Sequence, residues 1–363
     1  MSEAAPFENR IRRLRRSMKR AKLDGFLVWD RANTRYLCGF QGSASLICLT
    51  GECGCFLTDS RYITGARASL PRLFRVVENP LCESDRVARI FKRINVRRIG
   101  FEESAPYRLF KQWTEKIAPI ELVEAAACID RLRECKSRDE LRRIVAAQRI
   151  AEKALDRVLA QCRPGVTERE LARWIRRAIE DEGGDGPSFD PIVASGPNTA
   201  LPHYQPTDRL LRKGEFVLFD VGARVDGYCS DMTRTVVLGR ATDRQREVYA
   251  TVLEAQRRAI ARIRCGIAAK VVDRAAREWI EAKFPGKCYR YATGHGVGLE
   301  IHESPSLRPQ SNDRLRTGMV ATVEPGVYIP GWGGVRIEDM VLVKRGGHTV
   351  LSRYPKQLRE LPC

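Results

Sequence analysis

The sequence predicts an α/β protein in two parts, an N-terminal α/β domain over residues 1–133 and a pseudo-symmetric α+β domain over 134–363. Three observations carry this. Short apolar segments alternate with helical ones up to about residue 133. Beyond it, long helices open on capping boxes. A unit of two helices and a hairpin then occurs twice, which places sheet inside and helices outside.

In the first domain "GFLVWD", "SASLICLT", "GCFLTD" and "RLFRVVE" read as strands, and "SDRVARIFKRI" and "YRLFKQWTEKI" as helices. The basic segment "RIRRLRRSMKR" at 10–20 has Ile11, Leu14 and Met18 at spacings of three and four, which predicts an amphipathic first helix with a solvated basic face. In the second domain Ser137 with Glu140 opens a helix to about Cys162, and Thr167 with Glu170 opens another to about Glu182. A hairpin follows. Thr242 with Gln245 then opens a helix to about Cys265, "AAKVVDRAAREWIEAKF" supplies a shorter one, and a second hairpin closes the repeat. The helix junctions "CRPGVTERE" and "IRCGIAAKV" match as well.

The chain of 363 residues, 43% of them hydrophobic, is long enough for real cores. It has no run of about 18 apolar residues that would span a membrane, and its first residues lack a secretory h-region. Cytoplasmic placement is expected. The twelve cysteines form no paired CxxC framework, so reduced thiols are expected, and Cys53 with Cys55 lacks the second ligand pair that a zinc site needs. The net charge of +19 raises nucleic-acid binding. Yet the arginines are spread along the chain among acids, with no zinc-finger or RNA-binding motif, so no specific nucleic-acid partner is expected.

The hairpins carry the chemistry. In "VLFDVGARVDGYCSDMTRT" a four-residue loop, Arg224 to Gly227, would set Asp220 directly opposite Asp231. By itself the pair reads equally well as two solvated aspartates. The second hairpin, "MVATVEPGVYIPGWGGVRIEDMVLV", turns around Gly331 and sets Glu324 opposite Glu338. Carboxylates gathered on one surface repel by about 1 kcal/mol per pair at 4 Å in water and about 4 at an effective dielectric of 20. Bound cations reverse that sign. "GHGVGLEIH" adds His295 and His302 among glycines that permit close approach of backbone or substrate. Carboxylates with imidazole suit manganese, zinc, cobalt or iron better than calcium. His348 in "RGGHTV" reads as a turn residue, Tyr228 as a cross-strand packing group, and "ATGHGVG" lacks the flanking strand and helix of a dinucleotide loop.

The ordered set Asp220, Asp231, His295, Glu324 and Glu338, with "PHY" at 202–204 before it, resembles the pita-bread metallopeptidase family, which includes methionine aminopeptidase, prolidase and aminopeptidase P. "SGPNTALPHY", "DGYCSDMTRT", "VEPGVY" and "GVRIED" look most like its Xaa-Pro peptidases, and "NTRYLCGFQGSAS" with "LTDSRY" extends the likeness into a creatinase-like N-terminal domain. The resemblance implies two divalent ions, manganese first and cobalt or zinc as alternatives. Asp220 would hold one, His295 and Glu324 the other, and Asp231 and Glu338 would bridge them around an activated water. Glu324 would also shuttle the proton, His203 and His302 would meet the substrate, and Arg336 would orient the cluster. A proline-containing peptide substrate and a homodimer are implied as well. The short segment 303–323, whose Arg308, Arg314 and Arg316 are not aimed at the site by their spacing, favours Xaa-Pro aminopeptidase action on longer peptides, with Xaa-Pro dipeptidase as the alternative. Creatinase chemistry without metal, or noncatalytic binding on the same fold, are the rival classes.

Overall fold

The computed structural model describes residues 5–79, 84–92, 96–287, 289 and 291–363, which fall into two compact units, Met1–Arg133 and Glu134–Cys363. In the first unit six strands form one sheet in the spatial order Arg75–Glu78, Gly54–Thr58, Leu46–Thr50, Gly25–Val28, Arg98–Phe101, Glu121–Glu124. The strand Leu46–Thr50 runs against both its neighbours, and the other pairings are parallel. The basic helix spans Ala5–Arg20 and buries Ile11, Leu14 and Met18, as their spacing predicts. The helix expected at "SDRVARIFKRI" is Ser84–Lys92, and the end of that segment, 93–94, lies outside the described residues.

The second unit repeats its elements. Helices Arg138–Leu159 and Glu168–Asp181 precede one hairpin, Phe216–Leu238; helices Asp243–Arg262 and Ala269–Lys283 precede another, Val320–Lys344. The three capping boxes at Ser137, Thr167 and Thr242 are all formed. The fourth helix starts at Ala268 with no side-chain cap. The outer strands of the first hairpin lie in a four-stranded sheet and its tip in a three-stranded one, while those of the second lie in a five-stranded sheet and its tip forms a two-stranded one. Apolar faces of the helices close over each: Ile175, Ile179, Val217 and Phe219 share one buried cluster, and Val252, Ile280, Val323 and Val341 another.

One register differs from expectation. Asp226 (φ 45°) and Gly227 (φ 72°) form a two-residue turn, with Val225 paired to Tyr228. Positive φ at both central residues is what a type I′ turn needs, and its twist suits the strands better than a four-residue loop. Asp220 therefore pairs with Thr233, not Asp231. The acids remain on one face as diagonal neighbours. In the second hairpin Val323 pairs with Asp339 and Gly326 with Arg336, so Glu324 and Glu338 face each other as expected. The first ladder is interrupted beyond Asp220, at Gly222 and at Ser230 and Asp231, and the second at both of its acids, where Pro325 has no N–H to donate.

His348 sits in the strand Gly347–Val350, paired with Val343, rather than in the turn, because Lys344 pairs with Gly347 and confines the turn to Arg345 and Gly346. Tyr228 donates to Glu140 and stays out of the site. Among the described residues Cys38, Cys53, Cys55, Cys128, Cys162, Cys229, Cys265 and Cys363 are free thiols, while Cys82 and Cys288 lie outside the described residues. Among the described residues no helix is long and apolar enough to cross a membrane.

Candidate metal centre

The two hairpins are joined where their acids lie. Thr233 Oγ1 donates to Glu338 Oε2 at 2.7 Å, the Glu338 N–H donates to the Thr233 carbonyl, and Thr235 Oγ1 donates to the Arg336 carbonyl. This seam brings the aspartate pair against the glutamate pair. His295 joins them from the strand Gly294–Gly296, where a Cβ at Gly294 would lie 2.0 Å from the Thr322 carbonyl oxygen and one at Gly296 2.2 Å from that of Ser304. The glycines of "GHGVG" thus admit neighbouring backbone. Thr322 Oγ1 accepts the His295 N–H and donates to Glu324 Oε1 at 3.1 Å.

His295 Nε2 lies 3.3 Å from Glu324 Oε1 and 3.5 Å from Asp231 Oδ2. Ligand atoms of Asp231, His295 and Glu338 all fall within 4.8 Å of one another. Asp220 is held from the side by Arg336, whose Nη2 donates to Asp220 Oδ2 at 2.6 Å. The same guanidinium donates to Thr233 Oγ1, Tyr328 OH and the Pro202 carbonyl, and Tyr328 in turn hydrogen-bonds Tyr291. The four acids, His295, Arg336 and Tyr291 line a cavity of about 410 Å³ together with His203, His302, Phe189, Ile192 and Ile301. The His302 ring packs edge-on to His295 at 4.3 Å, and His203 lies 6.5 Å from Tyr291. All the residues expected in the site therefore border one cavity.

The charge balance of this cavity is unfavourable for protein alone. Burial pushes Asp231 and Glu338 well above the ordinary carboxylate range, with the neighbouring acids adding to it. Asp220 is also raised, by burial, against the pull of Arg336. Burial acts the same way on Glu324, but the His295 hydrogen bond and charge, with Arg336 and Thr322, outweigh it and hold Glu324 low. Among the described residues Asp220 Oδ1 and Glu338 Oε1 are buried without a hydrogen-bond partner. Buried acceptors of that kind call for a donor or a cation. Arg336 is the one permanent cation lining the cavity among the described residues. Oxygen and imidazole donors with unused lone pairs fit a divalent ion.

Some partners escaped sequence reading. Thr233 and Thr322 each stand two residues from a ligand, so strand alternation aims them at the same face and could have found them. Tyr291 and Tyr328 carry no such signal. Arg314 donates to the Gly266 carbonyl and Arg316 bonds Glu134, away from the cavity.

The creatinase/prolidase N-terminal domain matches residues 10–135, and metallopeptidase family M24 matches residues 142–345. An Xaa-Pro dipeptidase of Pyrococcus horikoshii is 33% identical over 96% of this chain and 98% of its own. Among solved structures, an Xaa-Pro dipeptidase from Bacillus anthracis is 36% identical with a TM-score of 0.94, covering 98% of this chain and 100% of that one. An X-Pro aminopeptidase from Thermotoga maritima is 33% identical with a TM-score of 0.89, covering 96% and 99%. Matched by that family over residues 142–345 and similar to these relatives along almost its whole length, the chain belongs to metallopeptidase family M24, a family of hydrolases that use divalent metals.

Proposed function

We propose that this protein is a metal-dependent Xaa-Pro dipeptidase. The carrying observation is the buried set of Asp220, Asp231, His295, Glu324 and Glu338 at a cavity of about 410 Å³, a size toward the small end of ligand pockets. Several similar proteins bear the name Xaa-Pro dipeptidase or prolidase, which favours this reading over the aminopeptidase action that the segment 303–323 suggests. The Thermotoga maritima likeness keeps aminopeptidase action as the second reading.

Asp220, Asp231, His295, Glu324 and Glu338 are the residues that would hold two divalent ions, manganese before cobalt or zinc. Such ions, when bound, acidify a water and polarise the scissile carbonyl. Glu324, held ionised beside His295, takes the water's proton and delivers it to the proline nitrogen. That nitrogen has no N–H in the substrate and must be protonated to leave. His302, pushed below the ordinary histidine value by burial and by His295, presents a neutral imidazole to the substrate. His203 meets the substrate from the opposite segment, and Arg336 fixes Asp220 through a charge-assisted bond. Proline release from an Xaa-Pro dipeptide, measured with manganese present and after chelation, tests the proposal. Release abolished by chelator and restored by metal supports it; metal-independent release, or none with metal present, counts against it.

A further inference from the structure

Glu168 is fully buried at the first turn of the helix Glu168–Asp181, yet the helix does not use its carboxylate. Thr167 and Glu170 already form the capping box there. The carboxylate turns instead to the segment 195–207. Oε1 accepts from the Ser195 N–H and Ser195 Oγ, both at 2.8 Å, and from Asn198 Nδ2 at 3.0 Å. Oε2 accepts from Tyr204 OH at 2.7 Å, Thr207 Oγ1 at 2.9 Å and the Thr207 N–H at 3.3 Å. One side chain therefore gathers both ends of a loop, and Asn198 Nδ2 also donates to Tyr204 OH across it.

His203 stands in that loop, directly before Tyr204. Its ring borders the cavity, and among the described residues it makes no hydrogen bond of its own. The residue is exposed, so the backbone of the loop decides which part of the cavity the imidazole can reach. The far side of the loop is fixed to the metal-site hairpin, where the Gly334 N–H donates to Thr199 Oγ1 at 2.7 Å and Arg336 Nη1 donates to the Pro202 carbonyl at 3.3 Å.

We propose that Glu168 is a positioning residue for His203: it collects the two ends of the 195–207 loop on one buried carboxylate and thereby aims the imidazole at the substrate. The inference rests on the reading of His203 as a substrate-contacting group. An acid is required because both oxygens must accept. Glutamine would turn an NH₂ group toward one set of donors.

The test uses the metal-loaded full chain with Glu168→Gln, His203→Ala and the double variant. In Glu168→Gln, kcat for an Xaa-Pro dipeptide falls about tenfold or more with bound metal unchanged, because a misplaced group costs rate without costing ligands. In the His203→Ala background the same change costs less than about twofold, since no imidazole is left to misplace. Equal losses in both backgrounds overturn the proposal and leave Glu168 a structural residue. The His203 ring signal in NMR spectra of the zinc-loaded protein, identified by its loss in His203→Ala, should shift or broaden in Glu168→Gln while that of His348 stays in place. An unmoved His203 signal also overturns it. Should the wild-type protein cleave no Xaa-Pro dipeptide, the reading of the site fails, and the NMR signal still decides whether Glu168 positions His203. If Glu168→Gln does not fold, Thr207→Val removes a single donor and should move the His203 signal in the same way; an unmoved signal there overturns the proposal too.

Discussion

Arg336 Nη2 meets Asp220 Oδ2 at 2.6 Å while the same guanidinium reaches Thr233, Tyr328 and the Pro202 carbonyl. One planar fork thus ties two residues of the first hairpin, Asp220 and Thr233, to the second hairpin and to the 195–207 loop. Lysine keeps the charge and cannot keep the fork. Arg336→Lys should lower kcat/KM about 10- to 100-fold, the cost typical of losing a group that orients a metal ligand. Steady-state kinetics at saturating manganese check it, and a wild-type rate would place Arg336 outside the working site.

Asp231 lies 3.5 Å from His295 and shares the cavity floor with Glu338. Asp231→Ala should leave the fold intact and reduce activity by more than about 100-fold, beyond the cost of losing an orienting partner. Metal analysis should show fewer ions bound per chain. Near wild-type turnover on adding manganese would remove Asp231 from the bridging role.

The acids and their order were legible in sequence because strands alternate their faces and turn residues mark where strands reverse. Register was less so. A two-residue turn at Asp226-Gly227 moved Asp220 from Asp231 to Thr233; the Asp-Gly pair favours such a turn, and the four-residue reading passed over it. The capping boxes were legible because each lies within four residues. Glu168 was not. Its donors stand 27 to 39 residues further along the chain, and only the folded loop brings them to one carboxylate.

A separate prediction concerns the N-terminal unit. Burial lifts Glu102 from 4.5 to about 7, against hydrogen bonds from the Asp30 N–H, the Asn33 amide and the Trp29 N–H. A raised pKa means the folded state holds the proton more tightly. The stabilisation is complete below about pH 4.5 and is lost as pH rises through about 7, amounting to about 3 kcal/mol. Urea denaturation across that range should show the loss in the wild-type protein and a flatter profile in Glu102→Gln. Identical profiles would show that Glu102 does not titrate in this window.

The central claim is that this metal centre serves Xaa-Pro dipeptides. The most direct measurement compares an Xaa-Pro dipeptide with the corresponding Xaa-Pro-Xaa tripeptide at equal concentration, with manganese supplied and a chelated control alongside. The dipeptide should be hydrolysed faster, and chelation should abolish the reaction. Cleavage confined to the tripeptide would make the protein an Xaa-Pro aminopeptidase and contradict the account.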